Sequence, residues 1–179
     1  MTKQTPQKTL QDWLEDERTY YERARGVQNK YSIEDVRLWS GIDILTSIIS
    51  GESEQPEMAR TLHYLLLHVA PGKSVFQATP DRKFLNPLGT VHGGWFATLL
   101  DSALGCAIHT LLPANKTYTT AEFSVKLIRG IPLDLPRLRA EGNALHCGRK
   151  IASSEARLVG PDGKLYAHAT STCLVLENE

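Results

Sequence analysis

The sequence has no excess of either charge: 20 Lys and Arg stand against 20 Asp and Glu. Nor is there a dense basic stripe, so neither nucleic acid nor an anionic membrane is indicated as a partner, and a small molecule or a second copy of the chain is expected. Cysteine is scarce. Cys106, Cys147 and Cys173 are widely spaced and fall outside any CxxC or CxxH pattern, which argues against a disulfide framework or a zinc knuckle and for reduced thiols in a cytosolic protein. The opening MTKQTPQKTLQDWLEDE lacks the apolar core of a secretory signal, so a cytoplasmic location is expected. Uninterrupted apolar runs are also missing. GGWFATLLDSALGCAIHTLL, residues 93–112, comes nearest, but Asp101 and His109 would lie deep in a bilayer at a cost of several kcal/mol. A buried central helix is the expected alternative.

What is present fits one globular domain with a modest appendage: 179 residues, 41% hydrophobic and 22% charged. Residues 1–35 read as an N-terminal helical extension and residues 36–179 as the main domain. Within the extension, Trp13, Leu14, Tyr20, Tyr21 and Tyr31 recur too raggedly to define a helical face. In SIEDVRLWSGIDILTSIIS, Leu38, Ile42, Leu45 and Ile49 recur at helical spacing, and Ser32 followed by Asp35 supplies an N-terminal cap. MARTLHYLLLHVAPGKSVFQATP reads as a helical turn and a hairpin broken at Pro71 and Gly72.

After the central helix the period changes to two. TYTTAEFSVKLIR places Thr119, Ala121, Phe123, Val125 and Leu127 on one face of a strand and Thr120, Glu122, Ser124 and Lys126 on the other. LPRLRAEGNALH, KIASSEARLVG and KLYAHATSTCLVLE add three strands, separated by CGR and PDG turns at hairpin spacing. An α+β domain follows, with an antiparallel sheet of five or six strands wrapped around a long central helix, because each must bury apolar surface that the other can cover.

The blocks NPLGTVHGGWFATLLDSALGCA, YTTAEFSVKLIRG, GRKIASSEARLVGPDGKLYAHATSTCLV and LHYLLLHVAPGKSVFQATP together resemble the phenylacetate-pathway, or PaaI-like, branch of the hotdog-fold acyl-CoA thioesterases. The resemblance spans about residues 36–176 and implies a hotdog fold that hydrolyses an acyl- or aryl-CoA thioester. It also implies that Asn86, His92, Gly93, Asp101 and Thr120 are the functional positions. Two positions depart from the family pattern: Gly130 stands where Pro is frequent, and His63 where Gly is common.

The chemistry of these residue types suits that activity. Gly93 at the start of a helix offers an unpaired N–H, aided by the helix dipole, to polarise a thioester carbonyl and stabilise its oxyanion. Asp101 lies eight residues on, about 12 Å along a helix, too far to act on the same carbon within one chain. Two copies packed with these helices antiparallel would bring the Asp of one to the helix start of the other. A homodimer, or a dimer of dimers, is therefore expected. Asp101 would act as nucleophile or as general base on water, a choice that stays open. Asn86 would orient the water or the carbonyl, His92 would bond within the loop, and Thr120 would position the water.

Gly94, Arg149 and Lys150 are candidates for binding substrate, the two basic residues as contacts to CoA phosphates or else as solvated turn charges. Trp95 and Phe96 are candidates to line the acyl pocket. Cys106 and His109 are neighbours on the helix, but two ligands do not make a metal site and core packing is expected. No metal or redox cofactor is expected, CoA being part of the substrate. The rivals are a hotdog enoyl-CoA hydratase or dehydratase and a non-catalytic acyl-CoA binding or sensing module.

Overall fold

In the computed structural model, which describes residues 5–27 and 38–177, helix α1 spans Pro6–Arg23. Thr5 caps it by accepting from the Lys8 amide, and Pro6 occupies its first turn, where a missing N–H costs nothing. Trp13 and Tyr20, two turns apart, are its buried residues. Helix α2 spans Gly41–Ile49, with Ser40 as cap and Asp43 three residues on. Leu38 to Ser40 therefore lie outside the helix expected over them, while the expected cap Ser32 with Asp35 falls outside the described residues. Gly41 explains the start: a Cβ there would lie 1.9 Å from the carbonyl oxygen of His109, so only glycine permits this approach to the central helix.

Helix α3, Glu57–Leu62, stops at His63, which takes a left-handed φ of 56°. That conformation is easiest for Gly, the residue common there in the resembled family. Strands β1 (Tyr64–Ala70) and β2 (Lys73–Ala78) form the expected hairpin, with Gly72 at φ 74° in its turn. The central helix, α4, spans Gly93–His109, and β3 (Lys116–Leu127), β4 (Leu138–Cys147), β5 (Ile151–Val159) and β6 (Leu165–Glu177) follow. The six strands form one antiparallel sheet in the order β1-β2-β4-β5-β6-β3.

The sheet curls around α4, whose Leu99, Leu100, Ala103, Leu104 and Ala107 are fully buried. Small residues set the approach. A Cβ on Gly142 of β4 would lie 2.2 Å from the Ala103 carbonyl oxygen, which also accepts a 2.7 Å bond from the buried Ser74 hydroxyl of β2. Irregularities in the β1–β2, β4–β5, β5–β6 and β3–β6 pairings supply the bends that let a sheet wrap a helix.

The β3 irregularity corrects the simple alternation read along TYTTAEFSVKLIR. Pairing with β6 skips Ala121, so that Tyr118 and Thr120 lie opposite Val175 and Cys173, while Phe123, Val125 and Leu127 lie opposite Ser171, Ala169 and Ala167. Those β6 partners include buried residues facing α4. Thr120 therefore shares the helix-facing side with Phe123, and Thr119 does not. One extra residue in a strand reverses the face of everything before it.

Helix α1 lies across the other face of the β1-β2-β4 region. The Arg139 guanidinium donates to Asp16 at 2.6 Å and sits 4.7 Å from the Trp13 ring centroid. Arg137 grips Glu17 with two bonds of 2.6 and 3.0 Å, and the Gln77 amide reaches both the Trp13 carbonyl and Glu17. Among the described residues, no helix is long and apolar enough to cross a membrane.

Candidate active site

His92 is the N-cap of α4. Its Nδ1 accepts from the Gly94 N–H at 2.8 Å, which in the neutral ring leaves the proton on Nε2. The Trp95 N–H is taken by the His92 carbonyl. Among the described residues, the Gly93 N–H has no acceptor, so this first turn keeps one donor free at the positive end of the helix.

Asn86 holds the loop before the cap. Its Oδ1 accepts from the Leu88 and Thr90 amides at 3.0 and 3.1 Å, and its Nδ2 donates to the Thr90 hydroxyl at 2.8 Å. The same loop is tied to the strand-like approach of α4 by the His92 N–H donating to the Phe84 carbonyl. A groove of about 300 Å³ lies against this end of the helix, with Lys83, Phe84, His92, Gly94 and Thr98 among its walls.

Asp101 lies two turns along α4, half-buried, and accepts a 3.2 Å bond from the Thr120 hydroxyl. Burial pushes its carboxyl above the usual range, and the Thr120 bond opposes that rise. The carboxylate thus stands in a stripe of α4, with Gly94, Ala97, Thr98 and Ser102, that the chain's own sheet leaves partly exposed. This departs from the fully wrapped helix expected from the residues' apolar character.

The structure brings Asp101 to Thr120 and His92 to Gly93 and Gly94, but leaves these two groups at different heights on the helix. Gly93 is instead close to the end of β3, a Cβ there being 2.8 Å from a Leu127 methyl. Arg149 and Lys150 are exposed in the β4–β5 turn beside Val175, whose N–H donates to the Lys150 carbonyl. Leu127 pairs with Ala167, so that turn lies about 26 Å along β6 from the Gly93 end. Trp95 and Phe96 face the core at 4% and 3% exposure, Trp95 stacking on Phe84 and donating to the Leu62 carbonyl. The partly buried Cys106 thiol is pushed up to about 12 by desolvation and by Asp101, which suits packing rather than nucleophilic use.

A cavity of about 500 Å³ lies between α1 and the β1–β2 hairpin and touches none of Asn86, His92, Gly93, Asp101 or Thr120. The residue that sequence reading missed is Tyr118, whose ring fills the space beside Gly105, one turn beyond Asp101. A small residue there, with an aromatic two places before Thr120, was the available signal. Among the described residues, no cluster of three or more His, Cys, Asp or Glu could hold a metal ion.

Residues 88–167 match the Thioesterase superfamily. A thioesterase family protein from Silicibacter pomeroyi shares the fold with a TM-score of 0.66 at 23% identity, over 75% of this chain and 99% of that one. A phenylacetic acid degradation-related protein from Ralstonia eutropha gives a TM-score of 0.66 at 26% identity, over 73% and 98% of the two chains. A variant of the phenylacetic acid degradation protein PaaI from Thermus thermophilus gives 0.60 at 26% identity, over 66% and 98%. No curated protein matches the chain. The shared architecture identifies the sheet and its central helix as a hotdog fold, with a thioesterase-superfamily match over residues 88–167 and PaaI-like phenylacetic acid degradation proteins among its structural neighbours.

Proposed function

We propose that the protein hydrolyses an acyl- or aryl-CoA thioester to the free acid and CoA, at a site built from two copies of the chain. The observation that carries this reading is the partly buried Asp101, bonded by Thr120 on the open side of a helix whose first turn holds a free N–H. The Gly93 amide of one copy binds the thioester carbonyl oxygen and stabilises the negative charge that develops on it. Asp101 of the other copy either attacks the carbonyl carbon, giving a mixed anhydride that water then opens, or takes a proton from the attacking water. In the second route the tetrahedral adduct expels CoA thiolate, which recovers the proton from Asp101. Asn86 and His92 hold the loop and helix cap that aim the Gly93 N–H.

Two features support the shared site. Among the described residues, strand β3, twelve residues long, pairs on one side only, with β6, and such an edge is a template for another strand. Beside it, Phe123 and Leu127 remain 39% and 54% exposed on the helix-facing side. Antiparallel pairing of two β3 edges about a two-fold axis would cover them and set each Asp101 stripe toward the partner's helix start. It would also carry the partner's Arg149 and Lys150 toward the Gly93 end, where they could meet CoA phosphates.

The test is thiol release from a panel of acyl- and aryl-CoAs by intact protein, Asp101→Asn and Gly93→Val, each checked for fold and dimerisation, and by a mixture of the two variants. Both variants are expected to be inactive alone. Mixed dimers hold one intact site, so refolded mixtures should recover up to about a quarter of native turnover. No recovery with mixed dimers present overturns the shared site. Tight acyl-CoA binding without thiol release by intact protein overturns hydrolysis and favours a binding module.

A further inference from the structure

Along the seam between α4 and β3, the helix-facing side chains of β3 are exposed toward one end and packed in toward the other. On the open side of the Asp101–Thr120 pair, Phe123 and Leu127 are 39% and 54% exposed. On the closed side stands Tyr118, two residues before Thr120 on the same helix-facing side of β3. Its ring packs with the cluster that includes Ile108, Leu112, Cys173 and Val175. At its tip, the phenol oxygen lies 2.5 Å from where a Cβ on Gly105 would be. Any side chain at position 105 would push the ring out, so the missing Cβ is the notch that receives it. The His109 ring, 5.4 Å away between centroids, lies against Tyr118 on the next turn.

Gly105 follows Asp101 by one helical turn, about 6 Å, so this plug begins directly beyond the carboxylate. The geometry points to Tyr118 as a specificity-determining residue that, seated in the Gly105 notch, stops an acyl chain from extending past Asp101 between α4 and β3. This rests on the hydrolase reading above and adds to it a limit on acyl length. The ring, not the hydroxyl, provides most of the obstruction, because the phenol leans on helix backbone that cannot yield while its body fills the strand-to-helix gap.

The experiment is thiol release from acetyl-, butyryl-, octanoyl- and lauroyl-CoA by intact protein, Tyr118→Phe, Tyr118→Leu and Tyr118→Ala. Intact protein and Tyr118→Phe should share a preference for the short chains. Tyr118→Ala should raise the lauroyl-to-butyryl ratio of kcat/KM by about tenfold or more, as expected when an apolar site gains room for further methylenes. Tyr118→Leu, which keeps an apolar filler should the smaller residue unfold the protein, should move the ratio in the same direction. A ratio unmoved in the folded variants, or an intact protein that already prefers lauroyl-CoA, overturns the role of Tyr118 alone. No thiol release from these four substrates, with release from an aryl-CoA, overturns this inference alone, and none from any acyl- or aryl-CoA overturns the hydrolase reading with it.

Discussion

The Thr120 hydroxyl donates to the Asp101 carboxylate at 3.2 Å, joining the edge strand to the central helix, and it reaches the carboxylate because the pairing of β3 with β6 skips Ala121. This bond opposes the rise that burial imposes on the carboxyl group. Thr120→Ala should therefore move the apparent carboxylate pKa further up and lower turnover near neutral pH by about tenfold, the loss of one bond to a charged group. Thr120→Ser should restore both. The pH profile of kcat/KM reads the shift; a profile unmoved in Thr120→Ala would separate the bond from catalysis.

The raised Asp101 carboxyl also has a stability consequence. A carboxyl whose folded pKa exceeds its unfolded value contributes stability that is full below the unfolded pKa, 3.8, and is lost as pH rises through the folded one. Asp101→Asn removes that titration. Urea unfolding across this window should show the variant gaining on the native protein as pH rises. Parallel curves would mean that the carboxylate carries no net desolvation cost.

The His92 cap holds the first turn of α4 through its bond from the Gly94 amide. His92→Ala should cost about 1 kcal/mol of stability, the usual loss of a capping acceptor, while His92→Asn should keep most of it. Urea midpoints with an unchanged slope check this directly.

Two glycines make a contrasting pair. Gly142 faces helix backbone, a Cβ there lying 2.2 Å from the Ala103 carbonyl oxygen, whereas a Cβ on Gly130 would meet nothing within 4 Å. Gly142→Ala should destabilise the protein by about 1–3 kcal/mol through overpacking. Gly130→Ala should be neutral or stabilising, since it restricts the unfolded chain. Thermal unfolding of the two variants side by side measures the difference.

The clamp between α1 and the sheet is tested by a double-mutant cycle on Asp16 and Arg139. Burial of Asp16 works against its charge, but Arg139 and His68 outweigh it and hold its carboxyl below the usual range. The pair should couple by about 0.5–3 kcal/mol. That coupling is present above the unfolded carboxyl pKa, 3.8, and should fade as pH falls through the lower folded value. Additive losses at neutral pH would show that the Asp16–Arg139 pair contributes nothing to holding α1.

Much of the fold could be read from local pattern. The long apolar run with one Asp became α4, and the PDG and CGR turns fell between antiparallel strands, because hydrophobic period and turn chemistry are properties of a few adjacent residues. The start of α2 could not be read this way. Leu38 continued the apolar spacing, yet the helix begins at Gly41, where contact with the His109 carbonyl demands glycine.

The site divides along the same line. From the sequence alone came a glycine at a helix start, a carboxylate within the apolar helix and the distance that keeps them from sharing one carbon, since helix geometry converts residue count into length. Only the tertiary structure decided that Thr120 turns toward Asp101, that Tyr118 fills the notch at Gly105, and that Asp16 and Glu17 find Arg139 and Arg137 across the sheet. The alternation of a strand predicts its faces only until a residue is skipped, and no local pattern marks the skip. Those contacts join residues 13 or more places apart, so they exist only once the sheet has closed around the helix.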